Sequence, residues 1–417
     1  MEYRLNEKVE LLINKGVNIP EPLSVHIGND VNCDRISADD VVIYAGCRIS
    51  GSETLVMKGA SLGSEAPVSV EDCQIGPSVE LKGGYFKKSV FLEKANMASG
   101  AHVRDACILE EEANAAHSVG LKQTILLPFV TLGSLINFCD CLMAGGTSRK
   151  NHSEVGSSYI HFNYTPNQDK ATPSLIGDVP RGVMLDQRPV FLGGQGGLVG
   201  PSQLGFGTVI AAGVVFRGDL PETGQLILGE SSAQGVKPFY PGLYLEIRNR
   251  TRKNINYIAN LIALRTWYEN VRSFFPAGDP MGRELLKGAI EKLDMALDER
   301  IKRLGALVDK LPQSVEEYTR IMKINAPDDL IRQKKELIGV WNEVGDILSS
   351  QRIQKNDDSA GASFQGIIIQ AQKENSGDYI SVIQGLSPQN RALGIEWLGS
   401  IVDHVNNAVL EKLPLFR

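Results

Sequence analysis

The chain has 417 residues, enough for two or three domains at about 100–200 residues each. Its 49 acidic and 43 basic residues nearly balance, and no basic stripe interleaved with aromatics runs along it, so nucleic acid is not expected as a partner. The six cysteines (Cys33, Cys47, Cys73, Cys107, Cys139 and Cys141) match no zinc spacing, and they are expected to be small apolar fillers in a reduced, cytoplasmic protein with no metal site.

In chain order, residues 1–16 read as a short amphipathic helix with Val9, Leu11, Leu12 and Ile13 grouped before Gly16. Charges interspersed among these apolar positions argue against a signal peptide or a membrane span. After Pro20 and Pro22 a six-residue pattern begins, visible at Ile43, Ile49 and Leu55 and again at Leu126 and Leu132. Between Ala66 and Asn114 it is imperfect, as if coils absorb insertions such as Gly83-Gly84-Tyr85-Phe86. The polar, Gly-rich stretch 145–153 reads as a loop leaving the coil.

From Leu192 the register is uninterrupted: Leu192, Leu198, Leu204, Ile210 and Phe216 recur every six residues. A helix would scatter such residues around its circumference, and a single strand would bury every second one. Three short faces per turn instead place one aliphatic per face in a common interior, with small residues at the corners. The expected fold is therefore mainly β, a left-handed parallel β-helix of hexapeptide type over residues 23–235, after a helical segment 1–22.

Beyond Pro238 and Pro241 the period changes. Leu286, Ile290, Leu293, Leu297, Ile301, Leu304, Val308 and Leu311 step by threes and fours, an amphipathic helical stripe. Further helices are expected over 253–272, 327–350, 363–373 and 389–413, with 357–361 as an exposed turn, making 236–417 an all-α domain. The stripe is read as the core of a bundle packed on itself and on the solenoid, the other reading being a domain that binds a partner or caps a trimer.

The run Val155 to Asp178, with His161-Phe162-Asn163-Tyr164, Asp169-Lys170 and Ile176-Gly177-Asp178, resembles the acetyltransferase half of the bacterial bifunctional enzymes that make UDP-N-acetylglucosamine. These are hexapeptide-repeat acyltransferases, glucosamine-1-phosphate acetyltransferases joined to N-acetylglucosamine-1-phosphate uridyltransferases. The likeness extends over roughly residues 95–220 and leaves out the helical region, and no phosphate loop of the nucleotidyltransferase half occurs near the start of the chain. The resemblance implies a sugar-phosphate site. Its arginine falls on Arg104 and its lysine on Lys122, eighteen residues or three hexads later, so the two cations should stack on one face and clamp a phosphate, one as a planar fork and one as a point charge. Asn163, Tyr164 and Lys170 match its sugar-binding pair and following lysine, and Glu154 stands where the family has an asparagine.

The family's histidine base is replaced by Ser134, and its tyrosine by Asn137. A serine alone is a poor base, so His161 is taken as the candidate catalytic imidazole, with His152 as another. Gly194, Ala211 and Ala212 are small enough for a pantetheine arm to approach, which makes acetyl-CoA the implied acyl donor, and Arg181 and Arg188 are placed toward a nucleotide phosphate. The expected function is binding of a sugar phosphate or nucleotide sugar resembling UDP-N-acetylglucosamine by a cytoplasmic homotrimer away from membranes. Its chemistry would be that of a sugar-phosphate acyltransferase or a UDP-N-acetylglucosamine pyrophosphorylase-related transferase. The alternative is a non-catalytic trimeric scaffold whose helices bind a protein.

Overall fold

In the computed structural model, which describes residues 5–229, 238–276, 278–322, 328–351, 359–375 and 377–417, the first half of the chain winds into a parallel β-solenoid of about 11 turns. Each turn lays short strands on three faces. The first face runs from His26–Ile27 to Val215–Arg217 and the third from Val42–Ile43 to Leu226–Ile227. The second face starts at Leu55–Val56 and ends at Gln203–Leu204. Midway, Gly84–Phe91, Ala101–Leu109, Gly120–Leu126 and Asn137–Met143 continue around the corner from first to second face. The register shift between Arg104 and Cys107 marks that bend, where Asp105 and Ala106 take positive φ.

The six-residue register from Leu192 holds: Leu192, Leu198, Leu204 and Ile210 are buried on the third, first, second and third faces in turn, and Phe216 is half-buried on the first. Ile43, Ile49, Leu126 and Leu132 also point inward. Two expectations are corrected. Val56, not Leu55, enters the coil interior, while Leu55 points out of it. Gly83-Gly84-Tyr85-Phe86 is not an insertion, because Gly84 opens a first-face strand and Phe86 sits inside the coil. Gly84 is required there: its φ is +136°, and a β-carbon would come within 2.2 Å of the Ala101 carbonyl oxygen. The polar stretch 145–153 leaves the coil as a small antiparallel hairpin, Gly146–Ser148 with Asn151–His152. The cysteines fill space as expected, all but half-exposed Cys139 being buried.

Helix α1 (Glu7–Lys15) covers the first coil. Asn6 caps its N-terminus by accepting from the Lys8 N–H, and Gly16 ends it in the left-handed conformation. Of its apolar residues only Val9 and Leu12, three apart, are buried, while Leu11 and Ile13 face solvent. A one-turn helix, α2 (Val179–Gly182), interrupts the later coils. The C-terminal helices are α3 (Ile247–Asn270), α4 (Pro280–Val308), α5 (Leu311–Met322), α6 (Asp329–Gln351), α7 (Ser359–Asn375), α8 (Tyr379–Gln384) and α9 (Pro388–Lys412). The expected stripe lies on α4, continues to Leu311 at the start of α5, and buries Leu293, Leu297, Leu304 and Val308. Helices α5 and α8 were not foreseen. Ser359 to Gly361 form the first turn of α7 rather than a loop, with Ser359 and Ala360 exposed as expected; Asp357 and Asp358 lie outside the described residues, as does the expected boundary at 235.

The bundle packs on the second face. There Leu55, Met57, Val90, Leu92, Ile108, Ile125, Leu127 and Leu142 point outward yet are buried in the core they share with α3 and α4. Their strand neighbours Val56, Phe91, Leu109, Leu126 and Met143 point inward. A strand apolar on both sides is stable only when both sides are covered. Each large aliphatic buried this way contributes roughly 1.5–3 kcal/mol relative to exposure.

A buried ionic cluster fixes one end of the interface. Arg272 donates to Glu110 at 2.6 Å and Glu111 at 2.7 Å, Tyr268 donates its hydroxyl to Glu110 at 2.7 Å, and the guanidinium lies 3.8 Å from the centre of the Tyr379 ring. Burial pushes the Glu110 carboxyl up to about 7 against the opposing charge of Arg272. Because its pKa is raised on folding, this carboxyl costs stability as pH rises from the ordinary carboxylate range to about 7, and Arg272 offsets that cost. Arg272→Ala is expected to remove about 3–5 kcal/mol of stability at pH 8 and clearly less at pH 5.5, where an unpaired Glu110 can be neutral. Urea melts of both proteins at the two pH values measure this, and equal losses would contradict the assignment.

Candidate functional site

With the second face covered, the first and third faces remain open to solvent, and the expected cations lie on the first. Side chains alternate along a strand, so first-face positions two apart both point outward. Arg104 and Lys122 occupy directly paired positions on adjacent coils, as their spacing requires. They line a groove of about 490 Å³ together with His102, Asn137, Cys139 and Ile160. Lys87 is paired with Arg104 on the other side but is held 2.8 Å from Glu71. Lys122 lies 3.7 Å from Asp105, while the Arg104 guanidinium has no ion pair or side-chain hydrogen bond among the described residues. A guanidinium can grip an anion through parallel N–H bonds, and an ammonium beside it adds a point charge.

Lys170 is carried on a loop. The segment between strands Ile160–Phe162 and Ser174–Ile176 leaves the coil and is tied to the helices. Asp169 accepts from Arg250 at 3.0 Å and from the Tyr244 hydroxyl at 3.1 Å, and also pairs with Thr165. Lys310 donates to the carbonyls of Asn167 and Gln168. Arg300 reaches the Lys170 carbonyl and makes a 2.6 Å ion pair with buried Asp140. The Lys170 ammonium lies 5.9 Å from the centre of the exposed Tyr164 ring. Burial raises the Cys139 thiol pKa, as does Asp140, while Arg104, Lys170 and Lys122 pull it down.

The other expected site residues are distributed differently. Asn163 donates its amide to Asp140 at 2.7 Å, a bond that holds the loop. Glu154 is on the third face, 3.7 Å from His152, and does not join the groove. Ser134 sits at the corner between third and first faces, beside Leu135 of the groove wall. Gly194, Ala211 and Ala212 belong to the same corner farther along, where a β-carbon on Gly193 would come within 2.3 Å of the Ala212 nitrogen, so coil stacking alone demands small residues. Arg181 is engaged by Asp178 at 2.7 Å.

The expectation of a catalytic His161 is corrected. It points into the coil, with Nδ1 2.6 Å from the Cys139 carbonyl and Nε2 2.8 Å from the Ser174 hydroxyl. Both nitrogens are used, and burial pushes its pKa down to about 4. The sequence reading also missed a contact. His117 Nδ1 lies 2.8 Å from Ser134 Oγ, both at the surface. The two are seventeen residues apart, one coil, so a register allowing coils of sixteen to eighteen residues would have paired them.

Because His161 is neutral when folded and protonates more readily when unfolded, its contribution is present above about pH 6.5 and is lost as pH falls toward 4. Replacing it by Gln should flatten the loss of stability between pH 7 and pH 4, by ~3 kcal/mol relative to the unchanged chain. Denaturant midpoints across that range test this, and parallel pH curves would refute it.

Among the described residues no group of three or more His, Cys, Asp or Glu converges for a metal ion, and no helix is long and apolar enough to cross a membrane. No protein-family model matches the chain. It is similar to the Bifunctional protein GlmU of Thermotoga maritima, 25% identical over 215 residues, 51% of this chain and 42% of the relative. The corresponding protein of Trichlorobacter lovleyi is 27% identical over 219 residues (52% and 42%), and that of Exiguobacterium sibiricum 25% over 245 residues (58% and 47%). The chain spans less than half the length of each of these relatives. Together with the solenoid of about 11 turns, these likenesses fit the hexapeptide-repeat acyltransferases.

Proposed function

We propose that the first-face groove binds a hexosamine phosphate or a UDP-sugar, and that the protein transfers an acyl group from acetyl-CoA to the amine of such a sugar. The observation that carries this reading is the pairing of Arg104, free of any ion pair or side-chain hydrogen bond among the described residues, with Lys122 on adjacent coils of one groove. A guanidinium grips two phosphate oxygens through parallel N–H bonds, and the ammonium adds a point charge. Lys170 and Tyr164 offer a third cation and an aromatic face beside it. Asn137 and His102 supply polar edges for sugar hydroxyls.

A ligand held only by the folded state raises its melting temperature. Glucosamine 1-phosphate, N-acetylglucosamine 1-phosphate and UDP-N-acetylglucosamine, screened at millimolar concentration, should include at least one that does so. Arg104→Ala should weaken that ligand about 10–100-fold, the equivalent of roughly 1.5–3 kcal/mol for a charged hydrogen bond. An unchanged affinity in this variant would remove the phosphate clamp.

A homotrimer is part of the proposal. Ile160, Phe162 and Val215 on the first face, and Phe191, Val209 and Leu226 on the third, are exposed apolar side chains at the end of the solenoid that the helices leave open. Apolar side chains grouped on uncovered strands mark an association surface. Light scattering after gel filtration is expected to give three times the chain mass, and Phe162→Asp/Phe191→Asp to give monomer with the same far-UV spectrum. A monomeric starting protein would exclude this part of the reading.

A further inference from the structure

Acyl transfer to an amine needs a group that takes the amine's proton as the new bond forms. Two imidazoles lie on the first-face groove or its edge. His102 stands on the strand, its ring tilted against that of Tyr85 with centres 5.1 Å apart. His117 sits at the corner leading into the groove, and its Nδ1 is 2.8 Å from the Ser134 hydroxyl. The corner positions of the two residues stack, since the Leu135 N–H donates to the His117 carbonyl at 3.1 Å. The residues that follow each of them, Ser118 and Val119 after His117 and Leu135 and Ile136 after Ser134, form the groove wall that also carries Lys122. A hydroxyl hydrogen-bonded to an imidazole is the arrangement in which a serine can pass a proton on.

We propose that His117 and Ser134 form a proton relay for acyl transfer, Ser134 facing the substrate amine and His117 acting as the base behind it. This rests on the reading that the groove holds an amino sugar phosphate. The neutral amine attacks the carbonyl carbon of an acyl thioester, and a C–N bond forms. The amine proton goes to Ser134 Oγ while the serine's own proton goes to His117 Nδ1. The C–S bond breaks, and the departing thiolate takes a proton from the imidazolium, which regenerates the pair. His117 starts as the tautomer with its proton on Nε2, a nitrogen that has no hydrogen bond among the described residues. The charged groups nearby are the exposed Glu65, which feels the His117 charge and accepts the Ser99 N–H, and Lys82, 3.9 Å from Glu65.

The test measures thiol release from acetyl-CoA with glucosamine 1-phosphate, as a function of pH, together with sugar-phosphate binding by thermal shift. His117→Gln and Ser134→Ala are each expected to lower kcat about 10²–10⁴-fold. Both should leave KM for the sugar phosphate within a few fold and abolish the acidic limb of the kcat/KM profile. The double variant should be no slower than the worse single one, as for groups that act as a unit. Retention of turnover and of the acidic limb in His117→Gln would overturn the relay, as would loss of that limb in His102→Gln alone. Loss in His117→Gln but not in Ser134→Ala would exclude the serine as the intermediary. Binding that depends on Arg104 without turnover would overturn the relay and leave the sugar-phosphate reading intact. Absence of binding would overturn both.

Discussion

The structure depends on one face of the solenoid being apolar on both sides. On the second face, Leu55-Val56-Met57, Val90-Phe91-Leu92 and Ile125-Leu126-Leu127 send the middle residue into the coil and the flanking two out of it. Without a cover, those outward residues would expose a continuous apolar stripe along the solenoid, which water disfavours in proportion to area. Helices α3 and α4 supply the cover, and α9 packs on both α3 and α2. The amphipathic character of α4 is thereby used within the chain, in line with the reading of its stripe as core packed on the solenoid.

This arrangement sets two of the faces apart. The second is committed to the bundle, while the first keeps polar and charged side chains along its middle coils and closes with apolar ones. The bundle also reaches the groove indirectly. Arg300, Arg250, Tyr244 and Lys310 hold the loop that carries Tyr164 and Lys170, so residues of the C-terminal region more than seventy positions away set where Lys170 stands. Buried ionic contacts of this kind add little net stability but are costly to break from one side, which suits them to fixing a loop in one place.

Much of the site was legible because the solenoid converts sequence spacing into position. Arg104 and Lys122 are three hexads apart and end up side by side. Where coil length departs from eighteen residues, that conversion fails. The coil from Asn114 to Thr131 is seventeen residues long, and it is across this coil that His117 and Ser134 meet. His161 misled for another reason: its position in a strand says nothing about whether an odd or even residue faces inward, and the buried side fell to it. Asn163 has the right identity, but its amide is used by Asp140, a residue whose burial under Arg300 no local pattern announces.

The sequence by itself determined the solenoid, the helical domain and the stacked cations, because each is written in a repeat of side-chain character that local backbone geometry turns directly into a face. Tertiary structure alone decided which face is covered, that Glu110 and Arg272 meet across 162 residues, and that a histidine and a serine share a corner. Those outcomes depend on exact coil lengths and on packing between distant segments, and burial, rather than periodicity, selects among the arrangements the repeats allow.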